Sequence, residues 1–248
     1  MAGHSKWKNI RLHKGKADLE RGKIFGRLSR EITIAAKQGG NPDGNPRLRL
    51  AIEKARENSM PADNIKRAIQ KGTGELEGAS YEEVTYEGYG PGGAAVIVEA
   101  ATDNRNRTVA EMRHLFSKHG GNLGESNSVA WQFERKGLIL VAAGEYSEDA
   151  VMEAALEAGA EDVQRDGDSF EIVTTYEDLA RVRGELEAAG IGISSAQVDL
   201  VPQTTIELEG DSARRMLKLM DVLEDHDDVQ KVAANFDIAE AILEEAER

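Results

Sequence analysis

The fold is decided by residues 138–200, which read LILVA (138–142), EDAVMEAALEA (148–158), DVQRD (162–166), SFEIVT (169–174), YEDLARVRGELEAA (176–189) and ISSAQVDL (193–200). The first, third, fourth and sixth runs have the length and residue content of strands, and the second and fifth have helical periodicity. Their order is βαββαβ, the split-βαβ or ferredoxin-like arrangement. Downstream of Pro202, residues 204–208, 211–223 and 229–236 read as strand, helix and strand. Upstream, strands at 84–90 and 94–101 flank Pro91-Gly92, a helix spans about 106–119, and a strand is expected at 129–135. Joining strand–helix–strand at 94–135 to strand–helix–strand at 204–236 completes a second βαββαβ, which makes 136–202 an insertion.

Before residue 80 the period is helical throughout. Ile24, Phe25, Leu28, Ile32, Ala35 and Ala36 share a helical face within 18–38, and Gly39-Gly40 supplies the stop. Asn45 and Pro46 open a second helix that buries Leu48, Ile52 and Ala55. A third opens near Pro61, buries Ile65, Ala68 and Ile69, and is expected to stop at Gly72. GTGELEGAS (72–80) reads as a linker. The expected fold class is therefore α+β multidomain: an N-terminal three-helix bundle with a basic arm, followed by two ferredoxin-like (βαββαβ) domains, one inserted in the other. The expected domains are 1–78 (basic helical domain with its arm), 79–135 plus 203–248 (discontinuous α+β domain) and 136–202 (inserted α+β domain).

Charge follows the same division. The 248 residues carry a net charge of −14, yet residues 1–72 hold 17 Lys/Arg against 7 Asp/Glu, and residues 73–248 hold 14 against 38. A basic leading segment on an acidic body points to a polyanionic partner met by one end of the chain. The arm supplies Lys6, Lys8, Arg11, Lys14 and Lys16 with no acidic residue among the first 17. These are the first candidates for phosphate contact. Trp7 offers either a face for stacking a base or an anchor onto the bundle. Arg21, Lys23, Arg27 and Arg30 extend the basic surface along the first helix, although not all can share one face. Arg47, Arg49, Lys54, Arg56, Lys66, Arg67 and Lys71 rank second, because Glu53, Glu57 and Asp63 are available to pair with them.

A further anion site is expected at the helix start near Arg105 and Arg107, where free backbone N–H groups meet two guanidinium groups. The competing reading is a structural corner in which Asp103 pairs with one arginine and the Asn residues fix the turn; Thr108 with Glu111 fits a capping box there, and Asn106 is another candidate cap. GYGPGG (88–93) satisfies GxGxxG, but a strand rather than a helix follows, so it reads as a hairpin turn. There is no cysteine, which excludes disulfides, thiol nucleophiles and Cys-based metal sites. His114 and His119 lack metal-ligand spacing, and His226 sits in an acidic run (224–228) that reads as a solvated helix end. No catalytic residues, metal or cofactor are expected. No apolar run is long enough to span a bilayer, and MAGHSKWKNIRLHKGK (1–16) lacks the apolar core of a signal peptide. The expected location is cytoplasmic, with no membrane partner.

MAGHSKWKNI, RGKIFGRLSREI, NPRLRLAIEKA, YEGYGPGGAA, TDNRNRTVAEMRHLFSKHGGNLG and AALEAGAEDV together resemble the YebC/PmpR family, relatives of the mitochondrial translational activator of cytochrome oxidase. The resemblance runs over nearly the whole chain. It implies a helical domain followed by two α+β domains, one within the other, in a bacterial cytoplasmic protein that is not an enzyme. It also implies a DNA-binding transcriptional regulator. The alternative it carries is a ribosome-associated translation factor that binds ribosomal RNA and relieves stalling, for example at consecutive prolines. On either reading the acidic domains would meet transcription or ribosomal proteins. One departure stands at Asn127 in GESNSVAWQF, where the family has glycine; asparagine tolerates left-handed backbone angles, so the turn is expected to persist.

Overall fold

The computed structural model describes residues 17–167, 169–239 and 242. The described residues divide into two compact units, one comprising 17–130, 208–234, 238–239 and 242, the other 131–167, 169–207 and 235–237.

In the first unit, three helices come first: α1 (Ala17–Ala36), α2 (Pro46–Glu57) and α3 (Ala62–Thr73). Asn45 caps α2 as expected, its Oδ1 accepting the Leu48 N–H at 3.1 Å. Its amide also donates to the carbonyls of Ala35 and Gly39 at 2.8 and 2.9 Å, so one buried side chain ties the end of α1 to the start of α2. Leu28, Ile32, Ala35, Leu48, Ile52, Ala55, Ile65 and Ala68 form the shared core, with Phe25 and Ile69 packed at its margin. The stop expected at Gly72 falls later. The helix runs to Thr73, and Gly74, at φ 82°, closes it. Gly72 instead marks the crossing of α3 over α1, where a Cβ would overlap the Thr33 carbonyl oxygen and lie 2.6 Å from the Ala36 Cβ. There the glycine provides close approach rather than turn geometry.

The same unit continues with β1 (Glu82–Tyr89), β2 (Ala95–Thr102), α4 (Arg105–Lys118) and β3 (Asn122–Leu123), and after the second unit's strands returns with α7 (Gly210–Asp225) and β9 (Val229–Ala234). β1 and β2 pair antiparallel from Glu82↔Thr102 to Tyr89↔Ala95 around a turn at Pro91–Gly93, so GYGPGG is a hairpin turn. The sheet order is β3-β1-β2-β9. Met112 and Phe116 of α4 and Met216, Leu219 and Met220 of α7 are fully buried in its core.

The second unit holds β4 (Phe133–Ala142), α5 (Glu148–Glu157), β5 (Asp162–Asp166), β6 (Ser169–Thr175), α6 (Leu179–Ala188) and β7 (Ser195–Pro202). Its antiparallel sheet runs β5-β6-β4-β7, the βαββαβ pattern read from the sequence. Ile139, Val141, Val151, Ala155, Phe170, Ile172, Val182 and Leu186 form its core. Two short strands, β8 (Ile206–Leu208) and β10 (Phe236–Ile238), pair with each other.

One expectation fails here. The separate strands at 129–135 and 138–142 are one: residues 130–132 form a 3₁₀ turn and β4 runs unbroken from 133 to 142. β4 pairs with β7 from Phe133↔Pro202 onward, so residues 133–135 do not join the β3-β1-β2-β9 sheet, and the boundary expected at 135/136 falls inside a strand. The physical reason lies at Gly137. A Cβ there would meet the Thr174 hydroxyl and lie 2.9 Å from the Leu179 Cβ, so Lys136-Gly137 is a point of close packing within a central strand rather than a break. The place taken in the expected second βαββαβ is filled differently, by the two-residue β3 pairing with β1 at Gly88↔Leu123 and Tyr89↔Asn122.

Among the described residues, no helix is long and apolar enough to cross a membrane.

Candidate nucleic-acid interface

Of the expected phosphate-binding residues, Lys6, Trp7, Lys8, Arg11, Lys14 and Lys16 lie outside the described residues. The other four stand on α1 and do not act as one set. Arg21 is exposed. Lys23 pairs with Asp225 at 2.9 Å, and Arg27 donates to the Glu224 carbonyl, both partners lying at the C-terminal end of α7. Backbone carbonyls there carry the negative end of the helix dipole, which favours cations. Arg30 points elsewhere, its guanidinium carbon 5.7 Å from the centroid of the Tyr81 ring, within cation–π range.

The second-ranked cations also divide. Arg47 pairs with Glu83, and Lys54 with Glu31 at 3.0 Å. Arg67 and Lys71, exposed on α3, form no ion pair among the described residues. Among the described residues, Lys23 and Arg47 of the leading segment are thus met by carboxylates of the trailing sequence. Those pairs are solvent-exposed, with 40–55% of each side chain accessible, a setting in which an ion pair contributes about 0–1 kcal/mol and yields readily to a competing phosphate.

Arg105 and Arg107 are placed differently. Asn104 caps α4, its Oδ1 accepting the Arg107 N–H at 3.1 Å, in place of the expected Asn106 or Thr108–Glu111 box. The Thr108 hydroxyl serves another purpose, lying 2.7 Å from both the Thr102 hydroxyl and Asp228 Oδ2. Arg107 reaches Asp228 at 2.6 Å, Asp103 at 3.2 Å and Glu111 at 3.8 Å. Asp228 is only 5% exposed; burial pushes its carboxyl up, but the bonds from Arg107 and Thr108 outweigh burial and hold it below the ordinary carboxylate range. Arg105 lies 3.8 Å from Glu82. The corner therefore has the geometry of the structural reading, with Asp103 on Arg107. Glu111, His226 and Asp228 also bring ligand atoms within 4.8 Å of one another, but the Arg107 guanidinium already supplies the positive charge among them. Asp228→Ala is expected to lower stability by about 2 kcal/mol, because it takes the carboxylate acceptor away from the buried Thr108 hydroxyl and from the Arg107 guanidinium. A urea unfolding curve measures it.

Two family models cover the chain. Residues 5–75 match the TACO1/YebC protein N-terminal domain, and residues 81–236 match the TACO1/YebC second and third domain. The chain belongs to the TACO1/YebC family. A probable transcriptional regulatory protein of Pelotomaculum thermopropionicum is 58% identical over 241 residues, covering 96% of this chain and 99% of the relative. One of the same description from Chloroherpeton thalassium is 58% identical over 246 residues, covering 98% of each. The crystal structure of a conserved hypothetical protein from Aquifex aeolicus superimposes with a TM-score of 0.82 at 53% identity, covering 92% of this chain and 95% of that one.

Asn127 takes the left-handed conformation expected of it, at φ 67°. Its N–H donates to Glu87 Oε1 at 2.7 Å, and the N–H groups of Val129 and Ala130 donate to Glu87 Oε2, each at 2.8 Å. Burial pushes the Glu87 carboxyl up, yet the three backbone donors prevail and hold it below its ordinary value. Sequence reasoning missed this carboxylate, since a glutamate in a strand gives no sign of which face it occupies. It also passed over Tyr81 and ranked Arg67 and Lys71 low. The available signal was the spacing of Asn64, Arg67 and Lys71, which places all three on one face of α3.

Proposed function

We propose that this TACO1/YebC protein is a non-enzymatic regulator of gene expression that binds DNA through its leading basic segment and acts in transcription. The observation that carries this reading is the charge division, 17 Lys/Arg against 7 Asp/Glu in residues 1–72 and 14 against 38 thereafter. The names of the Pelotomaculum and Chloroherpeton relatives support the regulatory part of it. Arm and helical bundle grip the phosphate backbone, and attraction of this kind is sequence-independent. The acidic α+β parts are repelled by the same phosphates and face basic protein partners instead.

Crosslinking the protein in cells and sequencing the attached nucleic acid tests the proposal. Enrichment of promoter DNA is the expected result. Recovery of large-subunit ribosomal RNA with no promoter enrichment would overturn the transcriptional reading in favour of a role in translation.

A further inference from the structure

α1 and α3 together frame a cavity of about 250 Å³. Each helix contributes an i, i+3, i+4, i+7 stripe: Gly26, Ser29, Arg30 and Thr33 from α1, and Asn64, Arg67, Ala68 and Lys71 from α3, with Tyr81 at the edge. Among the described residues, three cations line it and no carboxylate does. Arg30 is central. Among the described residues its Nε is buried without a hydrogen-bond partner, an arrangement that costs free energy unless a ligand completes it. The Tyr81 ring lies within cation–π range of the guanidinium, while the Tyr81 carbonyl accepts from Lys37, just past the end of α1, at 2.6 Å. Gly26 opens the wall: a Cβ there would reach only the Arg30 guanidinium, at 3.7 Å, so the missing side chain leaves space.

A buried N–H donor, two exposed cations without ion pairs and no competing acid form a recognition set for a phosphate oxygen cluster. The volume sets the scale of the ligand, being below the roughly 300–1,000 Å³ of pockets that enclose drug-sized molecules. It suits one phosphate with part of its sugar. We propose that this cavity seats a single backbone phosphate of the bound nucleic acid, held by Arg30, Arg67 and Lys71. The assignment rests on the nucleic-acid reading above and gives that reading a fixed point on the folded bundle, separate from the arm.

The test uses the full chain and a 12-nucleotide single strand, prepared once as DNA and once as RNA, with binding measured from 50 to 200 mM salt. Arg67→Gln with Lys71→Gln removes two contacts at exposed positions that carry no core packing. Gly26→Leu fills the cavity while leaving every cation in place. Each lost contact is expected to lower the slope of log K against log salt by about 0.7, and affinity near 0.1 M salt by about fivefold. The Arg30 Nε–Hε signal in a ¹⁵N spectrum of the wild-type chain is expected to shift on adding the oligonucleotide. Inorganic phosphate and AMP at matched ionic strength are expected to leave it nearly unmoved. Wild-type affinity and slope in both variants, with the wild-type chain binding normally, would overturn the cavity assignment alone. Saturation of the Arg30 signal by AMP or phosphate that the oligonucleotide cannot displace would also overturn it, in favour of a small-molecule site. A wild-type chain that binds neither these strands nor a 12-base-pair DNA duplex at 50 mM salt would overturn the nucleic-acid reading itself.

Discussion

Gly72→Ala is expected to destabilise the helical bundle by about 2–3 kcal/mol, the range for forcing an extra methyl into a closed packing site. In an ordinary helix interior the same change stabilises by roughly 0.5–1 kcal/mol, so the sign itself is diagnostic. The new methyl would overlap the Thr33 carbonyl oxygen, a backbone atom that cannot rotate away, and would sit 2.6 Å from the Ala36 Cβ. α1 and α3 must separate to admit it. Separation opens the cluster of Ile32, Ala35, Ile65 and Ala68, and weakens the bond from the Thr33 hydroxyl to the Ala68 carbonyl, already long at 3.2 Å. Gly22→Ala is the control. Nothing lies within 4 Å of the added methyl there, and the variant is expected to gain stability. Urea midpoints followed by circular dichroism give both values, and a stabilised Gly72→Ala protein would mean that the two helices do not approach as described.

Glu87→Ala is expected to cost about 3 kcal/mol at neutral pH. Its carboxylate accepts three backbone N–H bonds at 2.7–2.8 Å while only 7% exposed, and alanine leaves those donors without an acceptor. Each orphaned buried donor costs about 1–3 kcal/mol, with the lower figure apt where the donor is part-buried, as at Asn127 and Ala130. Glu87→Gln keeps one acceptor oxygen and is expected to fall between. The pH dependence follows from the direction of the shift. The folded-state value lies below the ordinary 4.5, so the stabilisation is full above that value and disappears as pH falls from it through the depressed folded value. Asp228, also depressed, loses its contribution over the acid range in the same sense. Wild-type urea midpoints are therefore expected to drop steeply on acidification, and the Glu87→Ala protein to show a shallower drop from a lower start. Parallel curves for the two proteins would contradict the assignment.

Local pattern made much of the architecture legible. The βαββαβ unit was readable because LILVA, SFEIVT and the helices between them keep their periods, and Asn45-Pro46 announces its helix by chemistry acting within three residues. What escaped depended on contacts distant in sequence. Gly137 reads as a break until Thr174 and Leu179 are seen pressing on it, and Gly72 reads as a helix stop until Thr33 is placed beneath it. The start of α4 was misjudged because Thr108, a plausible capping residue, is drawn 120 residues away to Asp228.

The candidate interface shows the same division. Composition alone revealed a basic leading segment, since counting charges needs no structure. Which cations are engaged was not readable, because Lys23 finds its partner 202 residues along the chain. The cavity between α1 and α3 was hidden for a related reason. Its stripes are separately ordinary, and only their juxtaposition brings Arg30, Arg67 and Lys71 around one cavity whose described lining holds no carboxylate.

The central claim is that the leading segment grips nucleic acid through its phosphates, and the most direct measurement is the salt dependence of binding by the intact chain with and without the arm's charges. Replacing Lys6, Lys8, Arg11 and Lys14 together with alanine should weaken binding and flatten the log K against log salt plot by about 0.9 per lost contact on duplex DNA. A variant whose plot superimposes on the wild type would show that the grip lies elsewhere.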